Sequence, residues 1–107
     1  MTTTATNRLP MSTCRQPGEG EMIRIFDEEL LVQLTGEGST YAFVRASVAP
    51  GGGPPLHAHP NDETLFVLSG ELMFTQQSDV GVSTFHAVPG SLVHAPAGVP
   101  HRFENIG

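Results

Sequence analysis

Glycine and proline cut this chain into short pieces. Twelve Gly and nine Pro fall among its 107 residues, and such residues end helices and make turns. The runs between them are rich in β-branched and aromatic side chains: MIRIF (22–26), LLVQLT (30–35), TYAFVRASV (40–48), LFVL (65–68), ELMFTQ (71–76), STFHAV (83–88), SLVHA (91–95) and HRFEN (101–105). Roughly eight short strands separated by turn residues predict an all-β protein, a closed or nearly closed β-barrel of jelly-roll type. Within it, GEGS (36–39) reads as a turn, and LFVL with ELMFTQ reads as a hairpin closed by Ser69-Gly70. DEELLVQL (27–34) has a short helix as its alternative reading. PGGGPP (50–55) is too rich in breakers for any regular element.

The length suits one domain. Residues 1–20, MTTTATNRLPMSTCRQPGEG, are Thr-rich and broken by Pro and Gly, and they predict a flexible N-terminal arm ahead of a domain over 21–107. No apolar stretch follows a basic start, so the arm does not read as a secretory signal. A net charge of −6, with five Arg and no Lys, argues against a nucleic-acid partner. Without Lys, Schiff-base chemistry and a Walker-type phosphate loop are excluded in this chain. The apolar runs are too short to span a bilayer as helices. Cys14 stands alone, so no disulfide closes within the chain, and a reducing, cytoplasmic setting is expected.

Three of the five histidines carry the chemistry. His57 and His59 are two apart, a spacing that puts side chains on one face of extended backbone. Glu63 follows across Pro60-Asn61-Asp62, and His101 opens the last predicted strand. Three imidazoles and a carboxylate form a suitable set for a divalent Fe, Mn, Ni, Cu or Zn ion.

These spacings resemble the cupin superfamily. Its first motif, G-x5-H-x-H-x3-E-x6-G, is filled by GGGPPLHAHPNDETLFVLSG from Gly51 to Gly70. Its second, G-x5-P-x-G-x2-H-x3-N, is filled by GSLVHAPAGVPHRFEN from Gly90 to Asn105. The spacer between them resembles small single-domain cupins, with the quercetin-dioxygenase-like group nearest. The resemblance implies a cupin barrel (a double-stranded β-helix) with one divalent metal held by His57, His59, Glu63 and His101. It also implies one or two strands after the second motif, whereas this sequence stops at Gly107. The expectation is therefore a barrel lacking its last strands, whose open edge invites a second subunit as a homodimer.

Phe43, Leu65, Val67, Met73, Phe74 and Phe103 are expected in the core. Of these Phe43, Leu65, Val67, Met73 and Phe103, together with His94, are the candidate substrate contacts. Leu65, Val67 and Phe103 are favoured by sharing parity with Glu63 and His101. His86, His94 and Arg45 have surface positions as their plainer reading. Arg102 should point away from His101. Asn105 is expected to fix backbone, and Gly70 and Gly90 to sit in hairpin turns. The functional expectation is a metal-dependent dioxygenase acting on a small enol, catechol or flavonoid-like compound with O2, Glu63 doubling as metal ligand and general base. The alternatives are a Lewis-acid isomerase, cyclase, decarboxylase or lyase, and a non-catalytic small-molecule binder.

Overall fold

The computed structural model describes residues 11–36 and 39–107. Among these residues the chain forms eight strands and no helix: β1 Glu21–Ile25, β2 Glu28–Leu34, β3 Phe43–Val48, β4 Glu63–Phe66, β5 Leu72–Ser78, β6 Gly81–Ala87, β7 Leu92–Ala95 and β8 His101–Asn105. The helix alternative for 27–34 is thereby corrected. β2 pairs on both sides, with β1 and with β3, and that ladder outweighs the local helical preference of its Glu and Leu residues. No helix here is long and apolar enough to cross a membrane.

The strands form three antiparallel sheets, β1-β2-β3, β4-β7 and β6-β5-β8. The predicted β4–β5 hairpin does not form. Val67 continues the pairing of β4 with β7, donating to the Ser91 carbonyl at 3.0 Å and accepting from Gly90 N–H at 2.8 Å. The LFVL run thus stays bonded to the β7 side while β5 lies between β6 and β8. Gly70 and Gly90 do have positive φ, at 77° and 90°. They turn the chain from one sheet to another rather than closing hairpins.

The Gly-Pro cluster lies along β8. Gly51 N–H donates to the Asn105 carbonyl at 2.8 Å, and Asn105 N–H donates to Gly52 at 2.9 Å. At Gly53 a Cβ would fall on the Phe103 carbonyl oxygen, so only glycine lets the two backbones approach this closely. Asn105 fixes backbone here, its Nδ2 donating to the Val48 carbonyl at 2.8 Å.

Phe74, Ala95 and Phe103 form the buried core, with Val48, Leu65, Leu72 and Val93 packed against it. Burying a side chain like Phe74 is worth about 1.5–3 kcal/mol. Of the expected arm, residues 1–10 lie outside the described residues. Residues 11–20 are exposed and without regular structure. They are tied to β2 where Arg15 Nε donates to the Gln33 carbonyl at 3.1 Å and Gln33 Nε2 donates to that of Glu19 at 3.3 Å. The expected turn at 36–39 includes Glu37 and Gly38, which also lie outside the described residues.

Candidate metal centre

The two motifs meet at the end of the molecule where β4 and β8 begin. His57 and His101 form a backbone bridge, His57 N–H to the His101 carbonyl at 3.0 Å and His101 N–H to that of His57 at 2.8 Å. The turn before β8 is bound to the loop before β4. Gly98 N–H donates to the His59 carbonyl at 2.8 Å, and Ala97 N–H to Asp62 Oδ1 at 2.9 Å. Glu63 is the first residue of β4. His57, His59 and Glu63 of the first motif and the distant His101 of the second thereby converge on one spot.

The three rings are oriented by backbone carbonyls. Nδ1 of His57 donates to Pro55 O at 2.8 Å, Nδ1 of His59 to Asn61 O at 2.9 Å, and Nδ1 of His101 to Val99 O at 3.0 Å. A ring whose Nδ1 carries the proton presents the Nε2 lone pair for coordination, and such carbonyl partners also fix its angle. Ring centroids lie 4.5 to 5.5 Å apart. One ligand atom from each of the three lies within 4.8 Å of the others.

His101 is held hardest. It is 1% exposed and stacks on Phe74 at 5.5 Å. Its Nε2 is the buried side-chain nitrogen or oxygen without a hydrogen-bond partner among the described residues. A buried lone pair left unmatched is costly, and a metal ion is a natural partner for it. Glu63 stands beside the group, Oε2 3.0 Å from His59 Nε2 and Oε1 3.8 Å from His101 Nε2. His59 Nε2 and Glu63 Oε2 thus stand side by side as two candidate donor atoms. The donor set fits a first-row divalent ion.

Glu28 was not singled out from the sequence. It is 8% exposed at the start of β2. Burial raises its pKa above the usual 4.5, the Glu63 charge raises it further, and His57 acts in the opposite direction. DEE at 27–29 reads as a solvated acidic turn, and only the strand register reveals that its middle residue is buried.

The other candidates separate. Phe43, Leu65, Val67 and Phe103 line a cavity of about 700 Å³ between β3 and β4. Val67 and Phe103 are buried, but Phe43 is 58% exposed and is not a core residue. β3 is an edge strand, and Phe43 lies at its end. Met73 is not brought to the histidines. Phe74 takes the inward parity of β5, so Met73 shares the opposite face with His86 and Glu104, its cross-strand partners. His94 is likewise turned away: it pairs across from Thr64 and is exposed, at 3.4 Å from its hydroxyl. His86 contacts Glu71 at 2.8 Å on the surface. Arg102 points outward and donates to Glu104 at 3.1 Å. Arg45 lines the cavity and is exposed.

Residues 44–107 match the family model described as the cupin domain. A stretch of 48 residues is 44% identical to an uncharacterized protein of Streptomyces coelicolor, covering 45% of this chain and 42% of that protein. Among solved structures, an oxalate oxidase aligns with a TM-score of 0.65 and 24% identity over 76% of this chain and 45% of its own. An oxalate decarboxylase mutant of Bacillus subtilis aligns at 0.72 and 19% identity, over 82% of this chain and 24% of its own. The Lactobacillus farciminis oxalate decarboxylase formate complex aligns at 0.72 and 20%, over 90% and 31%. At these identities the likeness is one of fold, and this chain spans less than half the length of each of these proteins.

Proposed function

The chain belongs to the cupin family, and from that premise we propose that it is a metal-dependent enzyme of small-molecule metabolism. In this reading His57, His59, Glu63 and His101 hold one divalent transition-metal ion, and the substrate is a small enol, catechol or flavonoid-like compound oxidised with O2. The observation that carries it is the shared orientation of three rings whose Nδ1 atoms are each bonded to a backbone carbonyl, with the buried Nε2 of His101 left without a partner.

A bound divalent ion would acidify a substrate hydroxyl and, if redox-active, support reaction with O2. The protein supplies the rest. The carbonyls of Pro55, Asn61 and Val99 hold the rings against rotation. Glu63, half-buried beside His59, takes the hydroxyl proton at a carboxylate oxygen. The buried faces of Phe74 and Phe103 exclude water from the His101 side of the site. Exposed apolar residues on β1 and β3, including Ile23, Ile25 and Phe43, support a homodimer in the same reading.

The second reading keeps the ion and drops O2, as a Lewis-acid decarboxylase, isomerase, cyclase or lyase. It is supported by fold neighbours named both as an oxidase and as decarboxylases. Oxygen uptake on a panel of enols and catechols separates the two, using protein reconstituted with each ion in turn. Uptake abolished by Glu63→Ala supports the oxygenase. Turnover that persists under strict anaerobiosis overturns it in favour of the second reading. Tight binding without turnover in either condition overturns both and leaves a non-catalytic binder.

A further inference from the structure

Glu28 lies outside both histidine motifs, yet the strand register turns it into the interior. Its neighbour Glu29 faces the surface, where Arg24 pairs with it at 3.5 Å, so Glu28 has the inward parity of β2. Across the sheet Glu28 stands opposite Val48, and residues opposite each other in an antiparallel pair share a face. Val48 packs on Phe74, Ala95 and Phe103, and Phe74 stacks on His101. The backbone agrees. Ala49 N–H donates to the Asp27 carbonyl at 3.1 Å, and Gly52 packs so closely on Asp27 that a Cβ would clash. The start of β2 is therefore clamped to the segment that leads into His57.

Among the described residues the strongly buried polar side chains are Glu28 and His101. His101 belongs to the ligand set, whereas Glu28 makes no hydrogen bond or ion pair to another described side chain within bonding distance. Its oxygens nonetheless keep some contact with solvent, because the fully enclosed unpartnered side-chain atom among the described residues is His101 Nε2. The carboxyl is thus shielded but reachable, and its partial desolvation is a cost. A partner that arrives with a bound molecule offsets it.

We propose that Glu28 is a substrate-contacting residue, its carboxyl hydrogen-bonding a second oxygen of the molecule held at the histidine group. The proposal rests on the metal-site reading above and narrows its substrate class. The bound molecule is compact and carries at least two oxygens, one directed to the ion and one to Glu28, as in a catechol or an enediol. A molecule with a single oxygen leaves Glu28 unmatched. Glu63 then remains free to act beside His59.

The test uses the full chain loaded with Co2+, with absorbance titrations of 4-nitrocatechol and of 4-nitrophenol, which lacks the adjacent second hydroxyl. Metal content and circular dichroism are followed in parallel. In the parent the catechol should bind more tightly than the phenol by about tenfold, the worth of one good buried hydrogen bond. Glu28→Leu and Glu28→Ala should each bind a full equivalent of Co2+ and bind the phenol as the parent does, while losing the preference for the catechol. Glu28→Gln, which keeps both a donor and an acceptor, should retain most of that preference. An undiminished catechol preference in the folded Leu or Ala variant overturns the proposal, because both oxygens then go elsewhere. Loss of Co2+ in those variants also overturns it and makes Glu28 a ligand instead. A parent that takes up no Co2+ overturns the metal-site reading itself, and this proposal with it.

Discussion

The histidines of the β4–β8 end and those of the outer wall differ in what holds their rings. At the β4–β8 end, His57, His59 and His101 each donate from Nδ1 to a carbonyl two residues away. On the outer wall, His86 meets the Glu71 side chain and His94 the Thr64 hydroxyl. A backbone carbonyl is fixed by the fold and leaves Nε2 directed inward. A surface side chain moves with its partner and shares it with water. Residue type is therefore a poor guide to a metal centre, and the partner of the second ring nitrogen is a good one.

The largest test of that contrast is His101→Ala. It removes a ring stacked on Phe74 and the buried nitrogen, so metal should be lost and stability should fall by about 3 kcal/mol, read by urea denaturation. His57→Ala should lose the ion with a smaller change in stability, since this ring is only half-buried. A smaller effect is expected at Asp62, whose carboxylate holds Ala97. Asp62→Ala loosens the tie between the two motif loops and should weaken metal binding by about tenfold in a chelator competition. His86→Ala should change stability by less than about 0.5 kcal/mol and leave metal binding as it was.

Glu28 sharpens the comparison through pH. Its pKa lies above the usual 4.5 because of burial first and Glu63 second. An acid whose folded-state pKa is raised adds stability while protonated and loses it as pH rises through the folded value. Glu28→Gln should therefore melt with the parent well below pH 4.5 and above it at neutral pH. Equal melting temperatures across the range would show a carboxyl that solvent still reaches.

Both motifs could be read from spacing alone, because each fixed residue serves a local need. Gly51 joins the chain to β8 through its N–H on the Asn105 carbonyl, and Pro96-Ala97-Gly98 turns the chain back toward His59 before His101. The strand runs were also legible, from β-prone residues between breakers. Which strands pair was not. Val67 follows Gly90 and Ser91, a choice made by tertiary packing that no local signal announces. For the same reason the sequence leaves Met73 indistinguishable from a core residue. Its parity depends on Phe74 being the residue that meets His101, and two adjacent large apolar residues do not say which faces inward. Glu28 was hidden by its acidic neighbours, since only pairing with Val48 marks it as interior.

The most direct measurement is the metal content of the purified, tag-free chain, with His57→Ala and His94→Ala prepared alongside. One equivalent in the parent and in His94→Ala, with loss in His57→Ala, is expected if the carbonyl-held rings form the centre. No metal in any of them after reconstitution with each ion, or equal loss in both variants, contradicts it.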